Sequence, residues 1–457
     1  MMWLHALRVV RPRQAAARAT RRLRRRRFPA GPRGALRPLA ENEALWRSEA
    51  FAASGSSPDA GSRLAAFERH YGADVLEAAR AGGDPALLAA AWAVDHPPRA
   101  GDAWHPYTAS TRAVNWIAAA TLDPSLAPAV EEGVRRALAR GAANVEDDVL
   151  GNHVIRNAVA LVLGGVAFDD DSLRRRGTEL LRRELPEQIL SDGGHYERSP
   201  AYHRLVLRDL LSVRAYADVE DTVAQMLTFA ASSSRPDGAP WLFNDGGLDV
   251  APTLALDPSG DGVRVFPDTG YVFFRRGELA LAFDCGPVSP PFLPAHAHAD
   301  ALSFQLWVGG EPVVIDPGMP TYEAGPERDF FRSTQAHSTV TVGDSQFQSW
   351  GAFRAGPLPQ VELIEASETG ASARVVTARG EHVRTIRVEP NAVVVEDQTR
   401  GEEAVSTLVL ARQVEVESAR EPTLLAYLCA ERLGERRPVH ALLQRGTAAP
   451  TWRIPTH

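Results

Sequence analysis

The chain of 457 residues contains no lysine; all 50 of its Lys and Arg residues are arginine. A biased base composition of the genome accounts for so uniform a choice, so the arginine count by itself assigns no function. Cysteine is scarce as well, with Cys285 and Cys429 alone. Two cysteines cannot build a disulfide framework, and no CxxC pair is present. Cys285, in LALAFDCG, reads as a small buried residue rather than a nucleophile. No apolar run is long enough to cross a bilayer as a helix. No export leader is read at the N-terminus, because the first apolar piece is short and Arg8 follows it. A twin-arginine leader fails too, since no apolar core follows Arg21 and Arg22. These absences fit a cytoplasmic protein without excluding export. No nucleic-acid motif accompanies the arginines.

The charge that is present is uneven. The net charge is −7, yet twelve arginines and no acid precede Glu41. The remaining 38 arginines against 57 acids leave the rest of the chain at −19. A basic arm over residues 1–40 reads most simply as solvated, or as a first helix packed on the body. Attraction to an acidic surface, either anionic lipid or an acidic polysaccharide, is the sharper alternative.

A length of 457 residues allows two or three domains. From residue 41 to about 255, apolar positions recur at three- and four-residue intervals, as in STRAVNWIAAATL and YHRLVLRDLLSVRAYADV. That period predicts a run of helices, with stops at HPPRAGD, LDPS, FDDDS and SRPDG. From residue 262 the pattern becomes short runs rich in Val, Thr, Phe and Ile, bounded by Gly, Pro, Asp and Asn. This predicts a sheet sandwich over 262–457. DVAPTLALDPSGDG (249–262) reads as the linker, and the tail RGTAAPTWRIPTH reads as loose.

Chemistry concentrates in two places. Downstream, His296 and His298 stand at i, i+2 in HAHAD, with Asp316 and His337 further on. In a strand, i and i+2 share a face, so the pair can serve one site, with Asp316 and His337 arriving from neighbouring strands. Imidazole and carboxylate together suit Zn²⁺. Upstream stand Asn152-His153 and the segment from Asp192 to His203, DGGHYERSPAYH.

These clusters, with WHPYTASTRAVNW (104–116), FND (243–245), IDPG (315–318) and RSTQAHSTV (332–340), resemble the heparinase II/III family of polysaccharide lyases from about Trp104 to Asp397. The resemblance implies an incomplete (α/α) toroid followed by an antiparallel β-sandwich, with the site between them. It implies β-elimination on a uronate-containing acidic polysaccharide. That reaction needs the C6 carboxylate neutralised, a base for the C5 proton and an acid for the departing O4.

Carried over residue by residue, Asn152 and His153 neutralise the carboxylate, Tyr202 handles the proton and His296 faces the substrate. Tyr196 is the rival tyrosine. His298, Asp316 and His337 would hold a structural zinc, with Asp300 orienting a histidine. Ser338 stands where the family often has Asn. The bland readings are a helix cap for Asn152, helix-start anchors for the tyrosines and a polar strand edge for HAHAD. Arg112, Trp116, Arg156, Trp104 and Tyr107 offer charge and stacking surfaces for sugars, though each alone is more often core or a salt bridge. Glu197 reads as an ion-pair partner of Arg198. Asn244 and Asp245 read as a turn that could touch a sugar. Tyr322, Arg328 and Arg332 could meet a carboxylate.

Two other functions stay open. One is an exopolysaccharide-processing or -binding relative without lyase activity, suggested by the lack of a leader. The other is a hydrolase, for which paired carboxylates would be needed. The resemblance points to the periplasm or cell envelope, and a homodimer is left open.

Overall fold

Helical and alternating periodicity form the elements they predict. In the computed structural model the described residues are 8–24, 29–48, 51, 62–99, 101–250, 252–412, 414, 416–418, 421–446 and 451–456. Among them the longer helices are Pro12–Arg24, Ala73–Ala81, Pro85–Asp95, Pro106–Leu122, Ala127–Ala143, Asn152–Ala167, Asp171–Gln188, Pro200–Val213 and Glu220–Ser232. Their starts obey local rules. Asp84 and Asp170 accept hydrogen bonds from first-turn N–H groups, and Ser199 accepts one from Tyr202 ahead of Pro200. Pro106–Leu122 and Asn152–Ala167 are apolar nearly all round and buried on most faces, so they stand at the centre of the helical array. Asp171–Gln188 is amphipathic and turns its arginines to solvent.

Among the described residues, strands begin at Gly262 and build two large antiparallel sheets, one of nine strands and one of six, besides a small two-stranded one. They face each other across a core that includes Leu281, Phe283, Phe304, Leu306 and Leu408 from one sheet and Ala373, Val375, Ile386, Val393 and Val395 from the other. This is the helical toroid and β-sandwich that the resemblance implies. No helix among the described residues is long and apolar enough to cross a membrane.

An aromatic seam joins the two halves. Phe229, Trp241 and Phe243 from the helical side pack with Phe266, Tyr271, Phe273 and Trp307 from the sheet. Phe229 meets Phe266 edge to face at 5.0 Å, and Phe243 tilts onto Tyr271 at 5.1 Å. The seam holds the loop ends of both halves together, and the site lies there.

One expectation changes, and of the two simple readings of the basic arm the packed one forms. The tail is not loose where it is described: Thr451–Pro455 is a strand paired with Ala392–Gly401, and Trp452 and Ile454 are fully buried. Alternation in TWRIP puts both apolar side chains on the inner face, and Trp452 Nε1 donates to Ser406 Oγ at 3.0 Å. Residues 447–450 lie outside the described set. The basic arm is packed. Gln14 and Ala17 of Pro12–Arg24 are buried, Arg13 pairs with Glu184 at 2.8 Å, and Leu36 and Leu39 join the helical core. Residues 1–7 and 25–28 of the arm lie outside the described set.

Candidate active site

The helix Asn152–Ala167 starts without a side-chain cap of its own. Gly151 takes the N-cap position at φ +61°, and a Cβ there would meet Glu197 Oε1 at 2.5 Å. The missing cap is supplied from elsewhere, because Glu197 Oε1 accepts the Asn152 N–H at 3.2 Å. Asn152 is therefore not the cap. The other Glu197 oxygen lies 3.5 Å from His296 Nε2, beyond a good hydrogen bond but near enough to attract that ring once it is protonated. The expected Glu197–Arg198 pair does not form; Arg198 donates to the carbonyls of Tyr196 and Asp268.

His153, next on the same turn, gives its Nδ1 to Glu146 Oε1 at 3.1 Å. Asn157 holds Glu146 in place, donating to Oε2 at 3.2 Å and accepting from the Glu146 N–H at 3.0 Å. Burial alone would lower the His153 pKa. The Glu146 charge and hydrogen bond outweigh it and raise the pKa, so the ring keeps its proton to higher pH than a free imidazole. The Tyr107 ring tilts against it at 4.4 Å.

Tyr202 occupies the first turn of Pro200–Val213. Its ring stacks on the His296 ring at 3.9 Å, and its hydroxyl lies 3.2 Å from that of Tyr322. Burial, reinforced by Tyr322 and Asp245, pushes the Tyr202 phenol far above its ordinary value, so it keeps its proton. Tyr196, the rival, donates nothing to the cavity; its hydroxyl accepts the Gly151 N–H at 3.1 Å and anchors that turn.

HAHAD is not a strand but an irregular loop. The two histidines nevertheless converge, because both reach Asp245. His296 Nδ1 donates to Oδ2 and His298 Nε2 to Oδ1, each at 2.9 Å. Arg328 clamps the same carboxylate bidentately at 2.6 and 2.7 Å. Burial would raise the Asp245 pKa. Arg328 and the two histidine hydrogen bonds outweigh it and hold the carboxyl well below its usual range.

The FND turn does more than reverse the chain: Asn244, at φ +59°, donates to Arg198 O at 2.9 Å and accepts the His298 N–H at 2.8 Å. It is a buried clamp between the halves, not a sugar contact.

A cavity of about 1110 Å³ opens at this junction. Asn152, His153, Tyr202 and His296 all line it, with Arg156, Glu197, Tyr322 and Tyr107. The other expected sugar contacts lie elsewhere. Arg112 is in the helical core, stacked 3.8 Å over Trp92 and donating to the carbonyls of His70 and Ala103; burial pushes its pKa down to about 9. Trp116 is packed against Gly72 and Gly133, and Trp104 is buried too. Arg332 donates to the carbonyls of Ala297, Pro294 and Ala352, so its donors serve the loop itself. Three residues that organise the site went unread as such: Glu146, Asp245 as the hub, and Arg328 as its counter-ion. The FND pattern reads first as a turn, and Arg328, expected to meet a carboxylate, meets that of Asp245.

Behind His296 lies a sealed second group. His298, Asp300 and His337 bring one ligand atom each within 4.8 Å of one another, all buried. His298 Nδ1 and Asp300 Oδ1 have no hydrogen-bond partner. Asp316 is one bond away, its Oδ2 accepting from His337 Nδ1 at 2.7 Å. Asp316 and His337 stand in loops after strand Glu311–Val314 and before strand Val340–Val342, not on strands. Burial pushes His298 down to about 4 and Asp300 up to about 6.

Comparison with known proteins bears on the family and the fold. The model "Heparinase II/III N-terminus" matches residues 139–268 and "Heparinase II/III-like, C-terminal" matches 258–454. A heparin-sulfate lyase of Bacteroides stercoris is 25% identical over 238 residues, which are 42% of this chain and 36% of that protein. FtsZ-localized protein C of Caulobacter vibrioides is 27% identical over 290 residues, 56% of this chain and 49% of that one. The chain thus matches half or less of the length of these curated relatives. A crystal structure of heparinase III superposes with a TM-score of 0.68 at 15% identity, covering 97% of this chain and 90% of that one. Both halves of the family signature run in order through the two halves of the fold, and the chain belongs to the heparinase II/III family.

Proposed function

We propose that the protein is a polysaccharide lyase that cleaves a uronate-containing acidic polysaccharide by β-elimination. The observation that carries this reading is convergence: Asn152 and His153 from one helix, Tyr202 from another and His296 from the sandwich loop line one cavity, with Tyr202 stacked on His296 at 3.9 Å. In this reading the Asn152 amide and the cationic His153 ring hold the C6 carboxylate and stabilise the enolate-like charge that forms there. His296, with its Nδ1–H given to Asp245, uses Nε2 to take the C5 proton. The C4–O4 bond breaks as the C4–C5 double bond forms, and the protonated Tyr202 phenol supplies the proton that O4 needs. Tyr322 positions the Tyr202 hydroxyl. The curated relatives named heparin-sulfate lyase support this class of reaction.

The sealed group fits a divalent cation, because His298 Nδ1 and Asp300 Oδ1 are buried and unpartnered and the donors are imidazole and carboxylate. We assign zinc to this sealed group: His298 and His337 would hold it with Asp300, whose Oδ1 is unpartnered, and with Asp316, the carboxylate that the resemblance implies. Bound there, a cation would tie the HAHAD loop to the loops that carry Asp316 and His337, and the elimination needs none of its chemistry. Metal analysis tests this: about one zinc per chain is expected in the wild type and none in His298→Ala or Asp316→Ala.

A second reading is a family member that binds or processes an exopolysaccharide without lyase activity; the relative named FtsZ-localized protein C is a similar chain whose name records no lyase activity. One experiment separates the two. Incubation with a panel of acidic polysaccharides should give the ultraviolet absorbance of an unsaturated uronide with at least one of them. New reducing ends without that absorbance would mark a hydrolase, and binding without either would mark the second reading.

A further inference from the structure

Among the described residues, Arg208 is a largely buried cation of the cavity wall without a carboxylate of its own. On Pro200–Val213, Tyr202, Leu205 and Arg208 stand at i, i+3 and i+6 and all line the cavity. On the first turn of Asn152–Ala167, Asn152, His153 and Arg156 do the same. The two stripes meet at Asp209. Arg156 Nη1 holds that carboxylate at 2.6 Å and its Nε donates to Thr111 at 3.2 Å. Arg208 Nε stands 4.0 Å from the same carboxylate, beyond a good hydrogen bond.

Two guanidinium groups therefore share one carboxylate. The Arg208 side chain is 14% exposed, and its Nε is buried without a hydrogen-bond partner. Among the described residues it makes no other ion pair, and its remaining contact is the Phe51 ring at 5.7 Å. Tyr107 faces it too, but burial pushes that phenol up to about 12, so it offers no negative charge near neutral pH. A buried, under-compensated cation is costly in the free protein, and an anionic ligand group would offset that cost.

We propose that Arg208, beside Arg156, is a second anion subsite of the cavity. It binds the acidic group, carboxylate or sulfate, of a sugar next to the one held at Tyr202 and His296. This deepens the lyase reading and rests on it. Six residues along a helix is about 9 Å of axial rise, so Arg208 stands well along the cavity wall from Tyr202 and addresses a group beyond the sugar held there. A guanidinium fork matches either oxyanion bidentately. Selectivity for chains with acidic groups on adjacent sugars follows.

Calorimetry on the full chain carrying Tyr202→Phe tests this without turnover. The probes are a tetrasaccharide from alginate, which bears carboxylates alone, one from heparan sulfate, and a neutral cello-oligosaccharide. Adding Arg208→Met should weaken acidic tetrasaccharide binding about tenfold to a hundredfold. A loss with both acidic probes assigns carboxylate to the subsite, and a loss confined to the heparan probe assigns sulfate. Without ligand, Arg208→Met should melt at or above the parent temperature, whereas Arg156→Met should melt lower. Unchanged acidic binding, no acidic binding by the parent, or an Arg208→Met midpoint lowered like that of Arg156→Met would each overturn the subsite. Arg208-dependent binding by a wild type that forms no unsaturated product would keep the subsite and remove the lyase reading.

Discussion

His296 and His298 stand two positions apart and bond the two oxygens of one carboxylate, yet they belong to different parts of the site. The His296 side chain is 12% exposed, lines the cavity and stacks on Tyr202; that of His298 is 0% exposed and faces Asp300 and His337. The contrast repeats in their surroundings. The open group is completed by residues of three separate segments and has groups that can exchange protons with a ligand. The sealed group has unpartnered imidazole and carboxylate atoms that no solvent reaches. Asp245, locked by Arg328, joins the two and sets the orientation of both rings. Chemistry is thus placed where a substrate can enter, and the rigid support is placed directly behind it.

The largest expected effect separates the two histidines by rate and by metal. His296→Ala should lower turnover about 10²–10⁴-fold while keeping its zinc, as removal of a general acid–base group does. His298→Ala should lose zinc and melt lower. Metal content and initial rate, measured on both variants, check this; a loss of zinc in both would erase the distinction.

Asp245→Asn attacks the hub. It leaves Arg328 buried without its counter-ion, which costs about 3–5 kcal/mol in folding stability. Chemical denaturation reads that loss, and a change below about 1 kcal/mol would show that the hub is not structural.

Glu146→Gln is smaller and sharper. The folded His153 pKa is raised, so its contribution is complete below the ordinary imidazole value, about 6.5, and is lost as pH rises through the raised value. Glu146 is buried, which would raise its pKa, but His153 and His105 outweigh this and lower it. Its contribution is complete above the ordinary carboxyl value, about 4.3, and is lost as pH falls through the lowered one. The pair is strongest between those two values. Glu146→Gln should move the alkaline limb of the pH–rate profile to lower pH, since His153 then loses its proton earlier. An unmoved limb would separate His153 from that limb.

The sequence carried the order of helices and strands, because period 3.6 and period 2 are local properties. It also carried Asn152, His153, Tyr202 and His296, although their roles came with the family resemblance and not from spacing. What it could not carry was partnership at long range. Glu197 caps a helix 45 residues earlier, and Asp245 meets Arg328 across 83 residues. Arg112, Trp116 and Arg332 looked like surface for a sugar because a guanidinium or indole reads the same whether it faces a cavity or a carbonyl in the core. The tail was misread because GTAAP suggested an end, while the alternation in TWRIP was short enough to overlook. HAHAD showed i, i+2 spacing, but the loop geometry, not a strand face, brings its rings together.

The central claim is that the tyrosine inside the cavity moves the proton and the one beside it only anchors a turn. Tyr202 stacks on His296, whereas Tyr196 accepts the Gly151 N–H outside the cavity lining. The measurement is the initial rate of unsaturated-uronide formation by Tyr202→Phe and Tyr196→Phe on a polysaccharide that the wild type cleaves. Tyr202→Phe should be slower by about 10²–10⁴-fold with its fold intact, and Tyr196→Phe should stay within a few-fold of wild type. Wild-type turnover in Tyr202→Phe with a dead Tyr196→Phe would contradict the account.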